Sequence, residues 1–219
     1  MLVANNILVN PQSGSSHIAP RGMIISQLTM QTQEAMGSGR INLLGCKKET
    51  NKKVLVYLQL MSSKSIKIKY DIILEFDNVT YGNGGITIDG VFKDKTPLRV
   101  YSNSPEFVFT YAYAFNKRNY LVGKYKHSLG PAISQESKVK NPNSDIGMST
   151  SLFIALRYLE FIGFYGNYNY ARFINGKEFN PQPFSRILQL HKIVSEEEKA
   201  MNKLKPKVKK INAKNRYDI

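Results

Sequence analysis

The stretch "SIKIKYDIILEFDN" (Ser65 to Asn78) decides the fold class. Side chains on a strand alternate between faces. Ile66, Ile68, Tyr70, Ile72, Leu74 and Phe76 therefore share one face. Lys67, Lys69, Asp71, Ile73, Glu75 and Asp77 share the other, which reads as the wet side of a half-buried sheet. Upstream, "KVLVYLQLM" (Lys53 to Met61) is apolar enough for a buried strand. Downstream, "YGNGG" (Tyr81 to Gly85) reads as a turn, and Asp89-Gly90 within "ITIDGVF" is a type I′ hairpin signal. "LRVYS" (Leu98 to Ser102) continues the series, and "NYLVG" (Asn119 to Gly123) adds an edge strand. Short strands at close spacing, with no helices between them, predict an antiparallel sheet, sandwich or barrel.

The next stretch, "SNSPEFVFTYAYAFNKRNY" (Ser102 to Tyr120), sets Phe107, Phe109, Tyr111, Tyr113 and Phe115 at every second position. Val108, Thr110, Ala112 and Ala114 lie between them. The spacing predicts a strand with five rings on one face. Packing into a core is the leading reading, because five rings in water would make a large exposed apolar patch. A protein interface, and stacking of bases through Tyr111 and Tyr113, are the alternatives.

Helices are expected in the C-terminal third. "STSLFIALRYLEFIGF" (Ser149 to Phe164) opens on hydroxyls that can cap a helix, and carries a stripe of Leu152, Ala155, Leu156, Leu159 and Ile162. A helix near 149–163 follows. A second is predicted near 184–204, after Pro183, with Ile187, Leu190, Val194, Met201 and Leu204 as its apolar stripe. The connection 127–148 is long and polar, as binding loops and lids often are.

The expected organisation is thus α+β, with a mainly antiparallel β core over residues 41–200. Residues 1–40 carry only Arg21, Glu34 and Arg40 as charges, and read as an extended N-terminal arm with a weak helix over 24–35. Residues 201–219 form a basic tail. From Lys199 onward there are eight Lys or Arg residues against Asp218 alone.

Across 219 residues the net charge is +15 and hydrophobic residues make up 42%. The second figure predicts a globular middle, and the first favours a polyanionic partner. Two basic clusters are candidate contacts to nucleic acid or an acidic partner: Lys117, Arg118, Lys124, Lys126, Lys138 and Lys140, and then Lys205, Lys207, Lys209 and Lys210. The single Cys46 allows no internal disulfide and reads as a buried, inert thiol. No signal peptide and no apolar run of the ~18 residues that a span needs are visible, so a virion or host-cytoplasm location is expected.

Catalytic signatures are sparse. His17, His127 and His191 are scattered, and neither a phosphate-binding loop, a dinucleotide fingerprint nor a nucleophile elbow occurs. Glu136-Ser137-Lys138 has the E-x-K form found in some metal-dependent nucleases, with Asp89 or Asp94 as a distant acid. No cofactor is expected. Abundant Lys, Asn, Ile, Tyr and Phe, with no Trp, fit AT-rich coding in a bacterium or one of its viruses. The leading expectation is a non-enzymatic structural or assembly subunit of a large particle. A phage virion component (capsid, neck or tail) fits best, oligomeric in context and partnered by other protein subunits. A nucleic-acid-binding module is the alternative, and a metal-dependent nuclease the third reading.

Overall fold

The structure, a computed structural model, describes residues 1–8, 21–50, 52–82, 87–137, 141, 144, 146, 149–169 and 178–204. The element order is α1 (Ala4–Leu8), α2 (Arg21–Gly37), β1 (Ile41–Thr50), β2 (Lys53–Met61), β3 (Lys69–Phe76), β4 (Thr80–Gly82), β5 (Thr87–Val91) and β6 (Leu98–Ser102). It continues with α3 (Pro105–Thr110), α4 (Ala112–Lys117), a 3₁₀ segment (Lys126–Ile133), α5 (Thr150–Phe161), β7 (Gly166–Asn169) and α6 (Phe184–Leu204). The fold is α+β, built on an antiparallel four-stranded sheet in the order β1-β2-β3-β6.

β2 forms as expected, while the stretch from Ser65 is a strand only over Lys69–Phe76, with Ile66 exposed ahead of it. Val54, Val56 and Leu58 face the same layer as Phe76, Leu74 and Ile72, their cross-strand partners. All six are fully buried under α5. The other face is not wet. Leu55 and Ile73 are buried there, and so is Asp71, at 1% exposure. Residues 120–133 and 178–183 cover it: Tyr57 meets Phe179 at 5.1 Å between ring centres, and Tyr101 meets Tyr125 at 6.1 Å. Leu121 pairs beside β6 as a single parallel bridge, in place of the expected edge strand.

Asp71 is the polar centre of that second face. Its Oδ1 accepts from the Tyr57 hydroxyl at 2.7 Å and from Gln59 Nε2 at 3.0 Å. Its Oδ2 accepts from Gln182 N at 2.7 Å and from Asn103 Nδ2 at 3.2 Å. Asn103 completes the clamp, accepting from Asp71 N and donating to the Gln182 carbonyl, each at 2.8 Å. A carboxylate offers about four acceptor positions, and all are filled here.

A second sheet, β4-β5-β7, is also antiparallel. Asp89-Gly90 is not a hairpin turn. Gly90 sits inside β5 at φ 74°, where the register against β7 shifts by a residue. A left-handed glycine is what such a bulge needs, and the same residue pair signals both structures. The β4–β5 connection, residues 83–86, overlaps the "YGNGG" stretch and lies outside the described residues, as does Asn175-Gly176, a residue pair that also signals a small hairpin.

The expected arm differs from the structure where it is described. Leu2, Ala4, Ile7 and Leu8 are buried, and the Leu2 carbonyl accepts from Leu98 N at 2.8 Å. Residues 1–8 therefore pack into the domain. α2 runs longer than the predicted 24–35 and buries a narrow stripe, Leu28, Thr32 and Ala35, against α5. These two segments explain why α5 is buried on nearly all sides: Phe153 and Ile154, off its predicted stripe, are covered as well. Ser149 caps α5 by accepting from Leu152 N, as its position predicts.

Two outcomes follow. Asp71→Ala strands four donors in the interior and is expected to cost about 3–5 kcal/mol in urea denaturation. Asp71→Asn should cost only about 1–3 kcal/mol, because Tyr57 and Gln59 can reverse their polarity to meet its amide. Equal losses would show that the fixed donors Asn103 and Gln182 do not anchor the node. Removing residues 1–8 takes away the buried side chains of Leu2, Ile7 and Leu8 and should lower stability by about 5 kcal/mol. An unchanged midpoint would make the segment a dispensable arm.

Candidate docking groove and basic face

The aromatic row is helical. Ser104 accepts from Phe107 N and Pro105 occupies the first helical position, so a helix starts where a strand was expected. Tyr111 interrupts it at φ −119°, and α4 resumes. The alternation misleads because a period of two contains the helical i, i+4 spacing. Phe107 and Phe115 are fully buried, with ring centres 5.4 Å apart, and Tyr111 lies between them in sequence. Residues two apart on a helix point about 200° away from each other, so the five rings share no platform. Tyr111 is half-buried, and burial pushes its hydroxyl up to about 12. Tyr113 is half-buried with Lys117 Nζ 5.9 Å from its ring centre.

The basic candidates are only partly available. Lys117 and Lys126 are exposed. Arg118 donates to the carbonyls of Ser144 and Ala114, pinning one side of the long connection. Lys124 sits 2.6 Å from Glu178 and 3.7 Å from Glu49. Lys47 reaches the other oxygen of Glu178 at 2.5 Å. Between Lys124 and Lys47 the Glu178 carboxyl is pulled down to about 2. Lys138, Lys140, Lys205, Lys207, Lys209 and Lys210 lie outside the described residues, so nothing places them relative to this face.

The carboxylates of β3 are also committed. Asp71 is the buried node, Glu75 pairs with Arg99 at 2.5 Å and Lys53 at 3.5 Å, and Asp77 pairs with Lys53 at 3.7 Å. Among the described residues, no group of three or more His, Cys, Asp or Glu is arranged to hold a metal ion. Glu136 accepts from the Ser144 hydroxyl at 2.5 Å, while Lys138 of the E-x-K triplet and the Asp89 side chain are not described. Cys46 is fully buried, and burial pushes its thiol up to about 12, which makes it a poor nucleophile. Among the described residues, no helix is long and apolar enough to cross a membrane.

What the residues do build is a groove of about 700 Å³ between α3, the 3₁₀ segment and the start of α6. Val108, Phe109, Leu129, Pro131, Phe184 and Leu188 line it. Phe109 packs edge-on against Phe184, ring centres 5.2 Å apart, yet stays 47% exposed, and Leu188 is 40% exposed. Gly130, at φ 66°, kinks the 3₁₀ segment to form one wall. His127 lies on the rim, and exposed Lys192 stands one turn beyond Leu188 on α6. Periodicity could not reveal this groove, since its walls come from three separated segments. The single available signal was the long connection after residue 126, read as a binding loop. No protein-family model, no curated protein and no solved structure matches this chain.

Proposed function

We propose that the chain is a non-enzymatic assembly subunit of a larger particle. In this reading the groove beside α6 receives a segment of a neighbouring subunit that is apolar at its centre and acidic at its ends. The groove itself carries the argument. It is wide enough for several side chains, and it leaves Phe109 and Leu188 partly in water, as unpaired docking surfaces do. The lining carries His127 and Glu136, the neighbours in sequence of its walls include Lys126 and Lys192, and the net charge of +15 favours an acidic occupant. A phage virion component is the particle that suits the AT-rich residue usage and the Lys-rich C-terminal residues.

The test is sedimentation from the native source. The chain should travel with a particle many times its own mass. Leu188→Asp should leave it behind in the light fractions, while its thermal midpoint stays within about 2 °C because Leu188 is a surface position. A native chain that sediments as a lone monomer sinks the reading.

The net charge also favours the second reading, a nucleic-acid-binding module. Here Lys117 and Lys126 would carry the phosphate contacts. Replacing both with Gln should flatten the slope of log affinity against log salt by about 2 for a duplex oligonucleotide. Affinity that ignores salt would rule the module out. Tyr111→Ala should cost stability more than affinity, since its ring is half-buried in the domain.

A further inference from the structure

A second cavity, of about 390 Å³, shares α3 and α6 with the groove but is lined by other residues of them. The end of β2, the start of β3, the first turns of α3 and α5, the end of α2 and the middle of α6 all contribute to it. Its polar groups come from distant parts of the chain. The Tyr70 hydroxyl and His191 Nε2 are 3.0 Å apart, with the two rings stacked at an interplanar angle of 17°. Lys64 faces the same space. The carboxylates in the wall already have partners: Glu34 is 3.2 Å from Arg40, and Glu106 accepts from Thr150 N at 2.9 Å. Arg40 is held further by the Met61 carbonyl at 3.2 Å. Lys64 forms no ion pair among the described residues.

We propose that this cavity binds a small molecule bearing a phosphate or carboxylate group, held by Lys64, His191 and Tyr70. The geometry supplies one exposed cation, one imidazole and one hydroxyl, lining a space whose acidic groups are occupied. Without a ligand, burial and then the Lys64 charge push His191 below its ordinary value, which favours the neutral ring. An oxyanion between Lys64 and His191 reverses that balance. The imidazole gains a proton and donates to the anion, and Tyr70 turns its hydroxyl from the ring to the ligand. A volume of about 390 Å³ suits a compact molecule.

The experiment is a titration of the full chain with inorganic phosphate, and separately with citrate, at constant ionic strength. The histidine ring signals are followed by NMR between pH 5 and 8. His191 should shift saturably, and its titration midpoint should rise by about one pH unit at saturation. His127, exposed and outside the cavity, should stay still. Response to phosphate alone assigns a phosphate ligand, and response to citrate alone a carboxylate. Lys64→Gln, at an exposed position, should weaken binding about tenfold and leave the fold intact. Tyr70→Phe should weaken it less and is checked by its thermal midpoint. The proposal is overturned if neither anion moves His191, if His127 moves in step with it, or if Lys64→Gln binds as tightly as the parent.

Discussion

One buried carboxylate holds the domain in register. Asp71 sits at 1% exposure in the second face of the main sheet, and a charge there is tolerated only with its hydrogen bonds complete. Its four donors come from β2 (Tyr57, Gln59), from the residue after β6 (Asn103) and from the chain just before α6 (Gln182). Two of these are side chains of a neighbouring strand and could be replaced by other sheet contacts. The Gln182 contact could not. It ties a segment 111 residues away in sequence onto the sheet, and α6 begins two residues later. The position of α6 thus depends on Asp71. So do both cavities, since Phe184 and Leu188 line one and His191 the other.

The opposite face is organised by burial alone. α5 lies on β1, β2 and β3 and is roofed by α1 and α2. A helix apolar on nearly all sides needs cover on all sides, and the sheet supplies only half. Residues 1–8 and 21–37 complete it. At the N-terminal end of α5, four serine hydroxyls (Ser102, Ser104, Ser149 and Ser151) form a buried chain with spacings of 2.8 to 3.2 Å. Two of them cap α3 and α5, so the starts of both helices are locked to the end of β6. Glu106 reinforces the same junction by accepting from Thr150 N.

The sequence reading succeeded where local pattern and tertiary role agree. β2, apolar throughout, and β3, alternating in sequence, both take their places as strands of the main sheet. α5 and α6 begin at the residues their caps and Pro183 indicate. It failed where one pattern serves two structures. The aromatic alternation from Phe107 to Phe115 satisfies a strand and also supplies i, i+4 pairs. The deciding signal was Ser104-Pro105, a helix start immediately before the row. Asp89-Gly90 satisfies a hairpin and a bulge equally, and only pairing with β7 selects the bulge. The charged side of β3 looked wet because Asp71 and Glu75 are acidic. Nothing local announces that Asn103, Gln182 and Arg99 will come to meet them. The groove and the Tyr70–His191 cavity were illegible for the same reason, being made by segments that meet only after folding. His191 was visible in the sequence as an isolated histidine, without its partner.

The distribution of charge bears on what kind of neighbour suits this surface. The chain has 16 acidic residues against 31 basic ones. Several of the acids serve as internal ties: Asp71 in the node, Glu75 on Arg99, Glu160 between Lys93 and Arg157, and Glu178 between Lys47 and Lys124. Each tie joins elements far apart in sequence or steadies a helix end, and each removes a carboxylate from the pool that could face a partner. Among the described residues, Lys69, Lys126 and Lys192 stand exposed. Two copies of this chain brought face to face would meet mainly like charge, which costs association energy at close range. A neighbour of different sequence, acidic where this chain is basic, meets no such barrier. For the contact proposed at the groove, the way the fold uses its acids therefore favours a heterologous partner over a symmetric one.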